Sequence, residues 1–211
     1  FIADSANVDV LDDGNTAAIL SNLKNSMPGR LLGVQVVTSS ALITKSAGAK
    51  KWRIRALGAG AGSSAAPATA AGQVSISNGG GAGAYAEGIY DVSALSSATV
   101  TIGSGGVGGT AISPNGGDGG TTSVGTLISA PGGKAGLPAG PANPPFQPVA
   151  NTNSNSPTGW NIIGTSGSGS EAAVAVSTSY AAGSRGANSQ LGVGGSVPAI
   201  NTPARSEEHT S

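Results

Sequence analysis

The chain has 211 residues, of which 36 are glycine, and only 9% are charged against a usual ~25%. Ten basic and ten acidic residues cancel, so no net field gathers nucleic acid or an anionic membrane, and neither partner is expected. There is no cysteine, hence no disulfide framework and no thiolate metal site, and no apolar run approaches the roughly 18 residues of a membrane helix.

Residues 1–14, FIADSANVDVLDDG, are polar and acidic and read as a linker. The chain starts at Phe1 with no basic region followed by an apolar one, so no signal peptide is visible, and the expectation is that it continues a longer protein. Asp9, Asp12 and Asp13 miss the calcium-loop spacing because Leu11 occupies the middle ligand position. In NTAAILSNLKNSMPG, Asn15 can cap a helix with Ile19, Leu20, Leu23 and Met27 on one face, closed by Pro28 and Gly29. Three turns do not stand alone in water, so that stripe needs either a copy of itself or the following domain.

From Arg30 the period changes to two. Val34, Val36 and Thr38 alternate with Gln35 and Val37, and ALITK follows. KKWRIRAL is the clearest strand: Trp52, Ile54 and Ala56 point one way, and Lys51, Arg53 and Arg55 the other, a basic face expected to be solvated. Further strands are expected at QVSIS, AYAEGIYDV, ATVTI and TSVGTLIS. Residues 131–158 are rich in Pro and Asn and read as a long exposed loop. A second β-like part follows, with Trp160, Ile162 and Ile163, then EAAVAVSTSY and GVGGSVPAI. The expected division is therefore a linker and short helix over 1–28, a glycine-rich β domain over 29–130, the loop over 131–158, and a continuation of the domain over 159–204.

Strands at this spacing, with glycine in nearly every connection, argue for a mostly β, antiparallel sandwich or jelly-roll-like domain. The connections GAGAGSSAAPATAAG, NGGGAGA, GSGGVGG and PNGGDGGTT are too glycine-rich for ordinary turns. One ordered solution is a bundle of polyproline-II-like glycine helices, whose missing side chains let neighbouring backbones hydrogen-bond. The strict G-X-Y repeat of collagen is missing.

No catalytic, cofactor or metal site is expected. GSGGVG, residues 103–108, matches G-x-G-x-x-G after a strand, yet GTAISPNGGDGG cannot supply the helix that must follow. GGKAG around Lys134 lacks the spacing and the Ser/Thr of a phosphate loop. Glu87 and Asp91, four apart on a strand, share a face, which formally admits paired-carboxylate glycoside hydrolysis, but two carboxylates on a strand are far more often surface polar residues. Tyr85, Tyr90 and Trp52 read as core or sheet anchors. His209, the single histidine, stands beside Glu207 and Glu208 in the terminal RSEEHTS. That string is what AGA TCG GAA GAG CAC ACG TCT encodes, bases that resemble the start of a short-read sequencing adapter; residues 205–211 are expected to be adapter-derived, with natural sequence ending near Ala204.

GRLLGVQVVTSS, KKWRIRALGAGAG, AGQVSISNGGGAGAYAEGIYDVSALSSATVTIGSGGVGG and GGDGGTTSVGTLISAPGG, in that order, resemble the glycine-rich C-terminal domain of tailed-bacteriophage tail fibre proteins. The resemblance extends through GSEAAVAVSTSYAAGSRGANSQLGVGG and covers roughly residues 29–197. The family's closing strand of the type G-x-V-I-V and its acidic-aromatic terminus have no counterpart here. The resemblance implies a non-enzymatic virion component at the fibre tip, homotrimeric with the other fibre segments, which attaches to a bacterial surface receptor, either a glycan or an outer-membrane protein. It carries over no receptor-contact residue. Candidate surfaces are the stretches near residues 58–72, 78–83, 103–120 and 131–158. The alternative expectation is a secreted or cell-surface glycine-rich matrix or adhesion protein of a bacterium.

Overall fold

The computed structural model describes residues 31–148, 155–196 and 199–200. The expected helix over 15–27, the acidic linker and the RSEEHTS tail with His209 lie outside the described residues. Twelve strands are described: β1 (Ala41–Thr44), β2 (Lys51–Leu57), β3 (Val74–Ile76), β4 (Tyr85–Asp91), β5 (Ser97–Thr101), β6 (Thr122–Val124), β7 (Ile128–Ala130), β8 (Ala139–Ala142), β9 (Ile163–Thr165), β10 (Val174–Ser177), β11 (Tyr180–Ala182) and β12 (Ala199–Ile200). Every pairing among them is antiparallel, so the mostly β fold read from the sequence is the fold observed.

Two sheets, β1-β5-β6-β7 and β2-β4-β9, stack face to face. Alternation in KWRIRAL places Trp52, Ile54 and Ala56 on the side facing the other sheet, where they meet Ala86, Tyr90, Val92, Val100, Val124, Ile128 and Ala130. The core side chains are small, and among the described residues only Ile128 and Val92 of the larger ones are fully enclosed. Tyr90 fits because β4 has glycine two residues earlier: a Cβ on Gly88 would collide with the Tyr90 phenol, whose hydroxyl donates to the Gly159 carbonyl at 2.8 Å.

Three expectations from the sequence differ from the structure. Residues 31–38 form no ladder despite their alternation, and Leu31, Val34 and Val36 stay more than three-quarters exposed while Val37 packs on the core. TSVGTLIS is not one strand but a hairpin, because Gly125 takes φ +50 and the chain reverses so that Val124 pairs with Ile128. The Pro/Asn-rich stretch contains β8, which pairs with β3 through a register shift; Pro141, which has no N–H, is accommodated because this sheet has only two strands.

The glycine-rich stretches are neither loops nor strands. Gly58, Ala61 and Ser64 donate to the carbonyls of Ala84, Gly81 and Asn78 at 2.8–3.0 Å, whereas Ala59, Gly62 and Ala65 donate to Gly120, Gly117 and Pro114 at 2.9–3.1 Å. Both series step by three residues in each partner. The carbonyls of Ala59 and Gly62 in turn accept from Gly133 and Gly136, and those of Gly60 and Ser63 from Gly106 and Gly109. A register that advances three residues at a time is that of helices with three residues per turn and no internal hydrogen bonds, the polyproline-II geometry. Residues 58–65 thus lie among four neighbours, 78–84, 103–109, 114–120 and 131–137, which bond to one another by the same rule: Gly117 and Gly120 to Val107 and Ser104, Gly116 and Gly119 to Gly136 and Gly133, and Gly81 and Ala84 to Lys134 and Pro131. Ala82 to Ser168 and Ala187 to Gly80 tie in the later part of the chain.

Glycine is required here for closeness, not for its left-handed range. Among the described residues the glycines with positive φ are Gly48, Gly72, Gly125, Gly140 and Gly159, all outside the five segments. At Gly62, by contrast, an added Cβ would approach the Val107 carbonyl oxygen closer than 3.0 Å, and at Gly83 the Gly58 carbonyl likewise.

Beyond the bundle, β3-β8 and β10-β11-β12 form two smaller sheets, joined by a second cluster of Ile76, Ala173 and Ala175 with Val74, Phe146 and Ala181 against it. The glycine helices therefore run between a β-sandwich at one end and a small β-cap at the other. No helix of the described residues is long and apolar enough to cross a membrane.

Candidate functional site

The topology decides which glycine-rich residues are available. Segments 58–65, 103–109 and 131–137 leave the sandwich directly after β2, β5 and β7, and 78–84 and 114–120 return to β4 and β6. Their far ends lie together: Ser64 bonds Asn78, Ala65 bonds Pro114, and the Asn78 side-chain amide donates to the Leu137 carbonyl at 2.8 Å. Of the candidate surfaces 58–72, 78–83, 103–120 and 131–158 expected from the sequence, residues 58–65, 78–83, 103–109, 114–120 and 131–137 belong to the bundle. The connections outside the bundle are 66–72 and 110–113, whose ends lie at this far end beside the β-cap, where the chain after Leu137 enters β8. Residues 68–72 and 110–113 are exposed, Ile112 at 98%. Short connections on a stiff support are where binding usually resides.

The G-x-G-x-x-G stretch, 103–108, is one of the five segments: Gly106 and Gly109 donate to Gly60 and Ser63, so these amides hold a neighbouring backbone and not a phosphate. Lys134 in GGKAG pairs with Asp118 across two segments at 2.6 Å, and Asp118 also accepts from the Ala135 N–H at 2.8 Å. These two bonds, the lysine first, hold the Asp118 carboxyl below its usual range.

Glu87 is the one candidate residue whose surroundings differ from expectation. It is 4% exposed and not a solvated surface group. In the β2-β4 register Arg55 lies opposite Glu87 and Arg53 opposite Ile89, on the face away from the core. Tyr85 donates to Glu87 Oε2 at 2.6 Å, Arg53 Nε to Oε1 at 2.7 Å, and Arg55 Nε is shared between the Tyr85 hydroxyl at 3.1 Å and Glu87 Oε2 at 3.3 Å. The Tyr85 bond, then Arg53, lower the Glu87 pKa from 4.5 to about 2. Burial first, and the bond to Glu87 second, push Tyr85 above its ordinary value, so it remains a donor. A carboxyl ionised down to pH 2 is a poor proton donor for glycoside cleavage. Asp91, opposite Lys51, bonds instead to the Ser93 N–H at 2.8 Å. The basic face is thus not simply solvated but ordered on a buried carboxylate. The i, i+2 spacing of Tyr85 and Glu87 puts them on one face; the pairing that brings Arg55 opposite was not visible in the sequence.

This cluster has a pH signature. A carboxylate whose pKa is depressed by folding contributes stability that is complete above its unfolded value, here 4.5, and is lost as pH falls toward about 2. The melting temperature of the parent should therefore fall more steeply between pH 4.5 and 2 than that of Glu87→Gln. Parallel curves for the two proteins would remove this account of the cluster.

Tyr90 and Trp52 take the anchoring roles expected of them, Tyr90 within the core and Trp52 packed against it. Tyr85 is buried as well, but as a hydrogen-bonding member of the charged cluster.

The profile of a family described as a glycine-rich domain matches residues 36–209. No curated protein and no solved structure matches the chain.

Proposed function

The chain belongs to the glycine-rich domain family, and from that premise we propose that it is a structural, non-enzymatic component of a virion, the distal part of a tailed-bacteriophage tail fibre that attaches to a receptor on the bacterial surface. The observation that carries this reading is the far end of the glycine bundle, where the connections 66–72 and 110–113 emerge together from a support of interlocked backbone. Such a support holds its shape without disulfides while leaving the connections free to differ in sequence. The ordered resemblance to tail-fibre domains over roughly residues 29–197 supports the same role.

At the opposite side, the exposed residues Leu31, Val34 and Val36 suit burial against further fibre segments in a homotrimer. The receptor is a glycan or an outer-membrane protein, reached from outside the cell.

Replacing Thr110–Ser113 by a Gly-Ser tetrapeptide should abolish adsorption of the fluorescently labelled protein to its host bacteria while moving the melting temperature by no more than a few degrees. Undiminished adsorption of that variant would place the binding surface elsewhere. A parent protein that coats no bacterial surface, and a gene surrounded by secretion and cell-wall genes in place of tail genes, would favour a bacterial matrix protein.

A further inference from the structure

Attachment through the far end leaves unexplained one surface at the other end of the bundle, the outer face of β2-β4-β9. Register places Leu57, Tyr85 and Thr165 side by side on this face, then Arg55, Glu87 and Ile163, then Arg53 and Ile89, then Lys51 and Asp91. Glu87 engages Nε of both arginines and one Nη of Arg53. Both Nη groups of Arg55 and the second of Arg53 make no hydrogen bond to it, on side chains 62% and 64% exposed. The buried carboxylate therefore fixes two guanidinium groups at one edge and leaves their remaining donors unused on largely exposed side chains. Holding them in advance removes part of the ordering cost of binding.

Beside Tyr85 lies an open hollow walled by Gly83, Thr165, Ser166, Ser168, Asn188 and Gln190, with no charged group in its lining. Its hydroxyls are themselves positioned: Ser168 Oγ donates to the Asn188 carbonyl at 2.6 Å, and Ser166 Oγ bonds Ser156 Oγ at 3.0 Å. Two features of different chemistry, a pair of oriented cations and a wall of hydroxyls and amides, thus adjoin on one face.

We propose that this face binds a carboxylate-bearing saccharide, its acid group on the outward donors of Arg53 and Arg55 and its ring hydroxyls in the hollow beside Thr165, Ser166 and Gln190. A planar carboxylate matches the guanidinium fork. Lys51, Arg53 and Arg55 against Glu87 and Asp91 leave a net positive charge on the face, which favours an acidic saccharide over a neutral one. The hollow asks for a neutral, hydroxyl-rich body. This inference goes beyond the attachment reading and does not rest on it, because none of these residues belongs to the far-end connections.

Calorimetric and amide-resonance titrations of the full chain with tri-galacturonic acid, neutral galactotriose and inorganic phosphate test it. Tri-galacturonate should bind and shift the Thr165 and Ser166 amides, with galactotriose and phosphate each at least tenfold weaker. Arg55→Gln should weaken tri-galacturonate at least tenfold. Gln190→Glu, at an exposed position that leaves the charged cluster intact, should do the same by repulsion, and it decides the matter if Arg55→Gln does not fold. Equal binding of galactotriose or phosphate, parental affinity in Gln190→Glu, or no tri-galacturonate binding at millimolar concentration would each overturn the assignment. Replacement of Thr110–Ser113 should leave this binding unchanged, which separates its failure from failure of the attachment reading.

Discussion

Gly62→Ala should destabilise the protein by at least about 3 kcal/mol, whereas Gly60→Ala, two residues away, should leave it as stable or stabilise it by roughly 0.4–1 kcal/mol. The two glycines sit in the same run of sequence and neither has a positive φ. They differ in what a methyl group meets. At Gly62 it would fall within 3.0 Å of the Val107 carbonyl, which belongs to a neighbouring backbone and cannot turn aside as a side chain could. Relieving that collision means parting two segments, which strains the bond from Gly62 to Gly117 and the bond Gly62 accepts from Gly136. At Gly60 nothing lies within 4 Å. Alanine there only reduces the freedom of the unfolded chain, which favours the folded state. Against a typical total stability of about 5–15 kcal/mol, the first change is large. Thermal or urea unfolding of both variants checks it, and similar stabilities for the two would mean that the segments are not in contact as described.

Ile128→Ala should cost about 2–5 kcal/mol and is the largest effect expected in the sandwich. Ile128 is 2% exposed and lies among Ala56, Ala86 and Ala130, whose short side chains offer little with which to refill the space. The backbone around it is held in the β6-β7 hairpin by the pairing of Val124 with Ile128, so collapse into the cavity is restricted. The loss should appear as a lower urea midpoint with an unchanged slope, because the variant exposes the same surface on unfolding. A loss below about 1 kcal/mol would mean that the sandwich relaxes freely and that the bundle alone holds the fold.

The strands were legible where side chains alternate. KWRIRAL carried its own assignment because Trp52, Ile54 and Ala56 all face the core. Residues 31–38 carried an equally good alternation and form no ladder, since alternation reports what a strand could bury and not whether a partner is present. β8 was hidden by prolines that ordinarily argue against a strand. The bundle was legible only as a composition: glycine has no side chain, so a three-residue register leaves no periodic apolar mark in GAGAGSSA, and the partners of Gly62 and Gly81 are chosen by backbone bonds that no residue type announces. The charged cluster was half visible. Tyr85 and Glu87 at i, i+2 share a face from strand geometry alone, but Arg55 reaches them through a pairing set more than thirty residues away in sequence. Assignment of Glu87 to a solvated face failed because burial belongs to the sheet and not to the strand.

The central claim is that the glycine-rich stretches are hydrogen-bonded three-residue helices and not mobile connections. Amide hydrogen exchange residue by residue tests it most directly, since slow exchange outside α-helices and strands has few other sources. In residues 58–65, the amides of Gly58, Ala59, Ala61, Gly62, Ser64 and Ala65 donate hydrogen bonds, while Gly60 and Ser63 donate none among the described residues. The predicted result is two protected amides followed by one unprotected, repeated along the segment, with Gly106 and Gly109 protected in the neighbouring stretch and Gly105 and Gly108 not. Uniformly fast exchange from Gly58 to Ala65 would contradict the bundle and reduce these stretches to loops.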